Sequence, residues 1–97
     1  MRFEWNQDKD RINQAKHYVS FDTACLVFED PHHLSVFDGH VHGEERWRPL
    51  GMVNDIVLLI VAHTVSEDDE LIRIISARKA TRNERQIYEQ AYKKTKG

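Results

Sequence analysis

Ile56-Val57-Leu58-Leu59-Ile60-Val61-Ala62-His63-Thr64-Val65 decides the fold, because it is nearly all apolar on both of its alternating sets of positions. A strand with one dry face alternates apolar and polar residues; a strand apolar at every position is covered on both faces. The stretch therefore predicts a central strand with other elements packed on each side. Its apolar part, Ile56 to Ala62, is too short to cross a bilayer.

Working outward, Asn54-Asp55 is a turn signal, and Glu45 to Val53 reads as a strand. Alternation puts Arg46, Arg48, Leu50 and Met52 on one of its faces and Trp47, Pro49 and Val53 on the other. Pro49 lacks an N–H and predicts an edge position or a bulge. Before it, Gly39 to Gly43 reads as a loop carrying His40 and His42, preceded by a strand in which Leu34, Val36 and Asp38 alternate with Ser35 and Phe37. On the other side, the acidic turn Ser66 to Glu70 leads to a last strand, Leu71 to Ala77. There Arg73, Ile75 and Ala77 share one face and Ile72, Ile74 and Ser76 the other. Connections this short favour an antiparallel meander.

Helices flank these strands. After a short strand at Phe3-Glu4-Trp5, Asn6 can cap a polar surface helix running to about His17. Ser20 can cap a second helix whose stripe is Phe21, Ala24, Cys25 and Phe28, stopped by Asp30-Pro31. Thr81-Arg82-Asn83-Glu84 fits a capping box, followed by the apolar face Ile87, Tyr88, Ala91 and Tyr92. The predicted class is α+β: a small antiparallel sheet with two N-terminal helices and a C-terminal helix, in one domain spanning residues 1–97.

The chain has 97 residues, 40% hydrophobic and 31% charged, in keeping with a folded domain rather than a disordered one. Cys25 is the only cysteine, which excludes an intramolecular disulfide and a cysteine-built metal site. The N-terminus has no apolar signal-peptide core, so a cytoplasmic protein with no membrane partner is expected. The net charge of -2 hides an asymmetry. Through Glu45 the bases are only Arg2, Lys9, Arg11 and Lys16, against nine acids; from Arg73 onward Arg73, Arg78, Lys79, Arg82, Arg85, Lys93, Lys94 and Lys96 face only Glu84 and Glu89. A local positive field of this kind can hold phosphates on a mildly acidic molecule. A solvated basic helix would look the same.

There is no P-loop, G-x-G-x-x-G, H-E-x-x-H or C-x-x-C motif. What remains is histidine, arginine, lysine and carboxylate near strand ends, which is the inventory for cutting RNA without a metal. Attack of the 2′-OH on the adjacent phosphorus needs a base, an acid for the leaving 5′-oxygen, and cations for the charged phosphorane. Lys16, His17, Glu45, Arg46, Arg73 and Arg78 supply those types, and Arg48 shares the Arg46 face. Taken one at a time, each arginine reads first as a surface ion pair with Glu44, Glu45 or the acidic turn. Trp47 can stack on a base or pack against a neighbour. His63 ends the buried strand and reads either as a hydrogen-bonded core histidine or as a catalytic one. His40-x-His42 near Asp38 could ligate zinc, although a solvated loop accounts for the pair as well.

Five segments in order resemble the BrnT family of type II toxins: Phe3-Glu4-Trp5-Asn6, Lys16-His17-Tyr18-Val19-Ser20-Phe21, Val27-Phe28-Glu29-Asp30-Pro31, Glu44-Glu45-Arg46-Trp47, and Arg73-Ile74-Ile75-Ser76-Ala77-Arg78-Lys79-Ala80-Thr81. The resemblance implies a RelE-like fold and a ribonuclease that halts translation. It also implies neutralisation by a BrnA-like antitoxin, with the toxin a homodimer or part of a two-plus-two heterotetramer that touches operator DNA only through the antitoxin. It places the active surface at Lys16-His17, Glu45-Arg46, Arg73 and Arg78, with Trp47, Arg48, Lys79 and Arg82 contacting RNA and no cofactor or metal. On this reading Glu45 is the base, Lys16 or His17 the acid, and the arginines hold phosphate. The chain departs from the family at Tyr18, where glycine is usual; a tyrosine in a left-handed helix-terminal position is strained. Two other classes stand beside the enzyme: a catalytically silent binding or co-repressor subunit, and a zinc hydrolase built on His40 and His42.

Overall fold

The computed structural model describes residues 1–96, with side chains through Lys93; Gly97 and the side chains of Lys94 and Lys96, counted above in the basic stretch, lie outside the described residues. In chain order the elements are β1 (Arg2–Glu4), α1 (Gln7–His17), α2 (Phe21–Ala24), a 3₁₀ turn (Cys25–Glu29), β2 (Leu34–Val41), β3 (Glu44–Val53), β4 (Val57–Val65), β5 (Leu71–Lys79) and α3 (Arg82–Lys96). The strands form one sheet in the order β1-β5-β4-β3-β2.

Strands β2 to β5 make the expected antiparallel meander, but the sheet is mixed rather than purely antiparallel. β1 comes before both helices and joins β5 in parallel, Phe3 opposite Ile72. The decisive stretch behaves as its composition requires. Leu59 and Val61 point into one core with Phe21, Ala24, Val27, Val53, Ile72, Ile74 and Ala77, under α1 and α2. Leu58 and Ile60 point into a second core with Val36, Leu50 and Tyr88, under α3.

Three local departures change where side chains point. The sequence predicts a second helix running to Asp30 with Cys25 and Phe28 inside; instead α2 passes into a 3₁₀ turn, and the buried residues are Phe21, Ala24, Val27 and Asp30. Their spacing of three is the 3₁₀ period, which eclipses i and i+3. The turn lies so close to β3 that a Cβ on Gly51 would stand 2.8 Å from Val27 Cγ1. The second departure is in β5, where the register shifts between Ala62 and His63 of β4. Ala77 therefore joins Ile72 and Ile74 on the α1/α2 face, not Arg73 as simple alternation predicts. The third is the expected loop Gly39 to Gly43. β2 continues to Val41, paired with Glu44, and only His42 (φ 52) and Gly43 (φ 79) turn the hairpin. Two successive positive φ values suit a tight hairpin turn.

Pro49 ends a ladder. β3 pairs with β4 only from Leu50 to Val53, while β3 and β2 continue pairing out to the tip. The outer part of β2–β3 is thus a two-stranded arm that leaves the sheet where the proline lacks a donor. Buried polar groups tie the layers together. The Asn13 amide donates to Val19 O and Ala77 O and accepts from Ala77 N–H, fixing α1 to β5. Asp30 accepts from His32 N–H, Met52 N–H and the Tyr88 hydroxyl. Burial alone would raise its pKa; those donors outweigh burial and hold it below the usual carboxylate range.

Candidate active site

The arm presents two chemically different faces. On the α1/α2 side, Phe37 stands opposite Trp47 and His40 opposite Glu45. The Phe37 ring lies 5.8 Å from Trp47 and 5.2 Å from His40, both edge-on. Trp47 Nε1 donates to Glu45 Oε2 at 3.1 Å. These side chains are open to solvent, Trp47 at 58% and Phe37 at 45%. A carboxylate, an imidazole and two aromatic rings thus share one accessible surface, with flat faces on which unstacked bases can rest.

The α3 side is a charge network. Asp38 accepts from Arg48 at 2.8 Å and from Arg78 at 3.1 Å. Arg78 also grips Glu84 with both terminal nitrogens, at 2.9 and 3.0 Å. Glu84 completes the predicted capping box: its Oε1 accepts from Thr81 N–H, and Thr81 Oγ1 accepts from Glu84 N–H. The hydrogen bonds from Arg78 hold the Glu84 carboxyl below its usual range, and the same pair pushes Arg78 up. By alternation Arg46 follows on the Arg48 face, so Glu45 and Arg46, adjacent in sequence, project from opposite sides of the arm.

The remaining expected site residues are spread over the sheet. Arg73 pairs with Glu4 of the edge strand β1 at 3.1 Å, and β4 separates it from Arg46 and Arg48. Lys16 and His17 end α1, and Tyr18 follows in the left-handed conformation (φ 60, ψ 30), lining a hollow with Val57 and Lys79. That is the Val53 end of β3; Glu45 lies eight residues away on that strand, roughly 25 Å. One phosphate cannot touch Glu45 and the Lys16-His17 pair together. Arg82 opens α3. Asp38 and His40 occupy opposite faces, so the zinc reading loses its carboxylate, and among the described residues no His, Cys, Asp and Glu group converges as a metal site. His63 is half-buried edge-on to Phe28 at 5.0 Å, its Nδ1 without a hydrogen-bond partner, and burial lowers its pKa.

The model of a family described as the ribonuclease toxin, BrnT, of type II toxin-antitoxin systems matches residues 5–84. The chain belongs to the BrnT family. A crystal structure of the Brucella abortus ribonuclease toxin, BrnT, is similar at 20% identity with a TM-score of 0.60, covering 84% of this chain and 99% of that one. At that identity the likeness carries the fold. A search of curated proteins returned no match. The BrnT match contains every site residue named from the sequence, from Lys16 to Arg82, and the arm with them.

Within this BrnT-family chain, Glu45, Trp47, Arg48 and Arg78, all named from the sequence, lie on or against the arm, each with partners that the sequence reading does not assign to it. Asp38 and His40 are named from the sequence only as a zinc set, and Phe37 only as a strand residue; their pairing with Arg48, Glu45 and Trp47 is not legible because Gly39 reads as the start of a loop. A glycine inside a strand pattern also signals a bulge, and that is the clue the sequence offers.

Proposed function

We propose that the chain is the endoribonuclease toxin of a type II pair, that it cuts RNA by metal-independent acid–base chemistry and so blocks translation, and that a BrnA-like antitoxin silences it. The RelE-like architecture implied by the sequence resemblance is part of this reading. One observation carries it: the Glu45 carboxylate stands beside the Trp47 indole on an exposed arm whose reverse face holds Arg46 and Arg48. A base, a stacking ring and cations are thereby within one hairpin. Glu45 takes the 2′-OH proton, Trp47 positions a base, and Arg46 with Arg48, Arg73 and Arg78 draws the backbone electrostatically. Lys16, His17, Lys79 and Arg82 would contact the strand farther along rather than at the scissile phosphate.

The test is cleavage of RNA by purified protein in EDTA, with and without its antitoxin. Cleavage that persists in EDTA, stops with antitoxin and falls about 100-fold or more in Glu45→Ala is expected. Full activity in both Glu45→Ala and Arg73→Ala, with folding intact, removes those residues from the mechanism. A second reading, a catalytically silent binding subunit, is favoured by one fact: Arg48, Arg73 and Arg78 are already ion-paired. Harmless expression without antitoxin would select it.

A further inference from the structure

Strand β2 changes register by one residue on its way to the tip of the arm. Phe37 stands opposite Trp47; three residues on, His40 stands opposite Glu45, only two residues back along β3. The extra residue falls at Asp38-Gly39, where Gly39 takes φ +78, a conformation natural to glycine. Simple alternation from Val36 and Asp38 would put His40 on the charge-network face, away from Glu45. The bulge reverses this. Asp38 stays with Arg48 and Arg78, while His40 comes round to Phe37 and Glu45. Directly opposed side chains have Cβ atoms about 5 Å apart. An imidazole and a carboxylate therefore stand side by side over one patch, next to the Phe37–Trp47 pair.

An acid and a base acting on one phosphodiester must both come within hydrogen-bond reach of oxygens on the same phosphorus. Lys16 and His17, at the far end of the sheet, do not meet that condition with Glu45. We infer that His40 is the general acid of the cleavage reaction, an assignment that rests on the ribonuclease reading above. The balance is complete without any further reagent. Glu45 accepts the 2′-OH proton as the 2′-oxygen bonds to phosphorus. The bond from phosphorus to the 5′-oxygen breaks, and imidazolium His40 delivers its proton to that oxygen. The products are a 2′,3′-cyclic phosphate and a 5′-hydroxyl, leaving Glu45 protonated and His40 neutral until proton exchange with water restores both.

The experiment uses an oligoribonucleotide cut by the wild-type chain, prepared with either oxygen or sulfur as the bridging 5′ atom at that bond. A thiolate departs without a proton, so sulfur makes the acid dispensable and leaves the base necessary. His40→Gln should slow oxygen-bridged cleavage by about 100-fold or more and sulfur-bridged cleavage by less than about 5-fold, whereas Glu45→Gln should slow both. Circular dichroism checks that the variants fold, as expected for exposed side chains on the arm. Equal losses on both substrates in His40→Gln, or no loss on either, overturn the assignment. If the wild-type chain cuts no RNA from which such a substrate can be drawn, the ribonuclease reading itself fails and the assignment falls with it.

Discussion

His63 shows how a single buried ring shapes stability. It lies against Phe28 with Nδ1 unpaired, and burial depresses its pKa below the usual histidine value. In the unfolded chain the imidazole takes up a proton as pH falls through about 6.5, while the folded chain resists doing so. Stability is therefore full above that value and declines below it. His63→Phe should lose less stability than wild type between pH 7.5 and pH 5.5, read as the shift in urea midpoint. The depressed carboxyls of Asp30 and Glu84 act only at lower pH and do not confuse that window. An equal loss in both proteins would show that His63 carries no proton linkage. At Tyr18 the sequence leaves either a different turn or a strained left-handed tyrosine, and the residue takes the second, with φ 60 and ψ 30. The burial of Asn13 is not legible, because its partners are the backbones of Val19 and, 64 residues away, Ala77.

Among the elements, the 3₁₀ turn and β3 form the tightest approach that a substitution can probe. Gly51→Ala would place a methyl group 2.8 Å from Val27 Cγ1 and 2.9 Å from Val27 O, backbone that cannot simply rotate away. A loss of about 1–3 kcal/mol is expected from such overpacking, measured by chemical denaturation. An unchanged midpoint would mean that the turn is free to retreat. The elements themselves are largely readable: Asn6, Ser20 and Thr81 each cap the helix expected of them. Periodicity fails where two periods compete. An α stripe and a 3₁₀ stripe both begin at Phe21 and Ala24, and only packing against β3 selects Val27 and Asp30 over Cys25 and Phe28. The β2 bulge is illegible for a related reason. A strand that shifts register still alternates locally, and the shift shows only when its partner is known.

Across the whole molecule, the acidic first half neutralises part of the basic second half. Asp38 holds Arg48 and Arg78, and Glu4 holds Arg73. Asp38→Asn should free cationic charge on that face, tightening binding of a labelled oligoribonucleotide. Its salt dependence should steepen by roughly 0.7 in log–log slope for every additional phosphate that the freed arginines neutralise. Fluorescence anisotropy from about 50 to about 200 mM salt reads both; unaltered affinity and slope would place the RNA elsewhere. Net charge alone conceals this pairing, since it records neither strand order nor face. Pro49 also divides the sheet. Inside it, β3 is locked to β4 between two cores; beyond it, the arm's two strands pair only with each other, and Asp38 reaches back to Arg78 of β5. Substitutions at the tip are thus insulated from the packing that keeps the chain folded. Selection can rewrite the residues proposed to meet RNA, one hairpin position at a time, while the central strand holds its composition fixed.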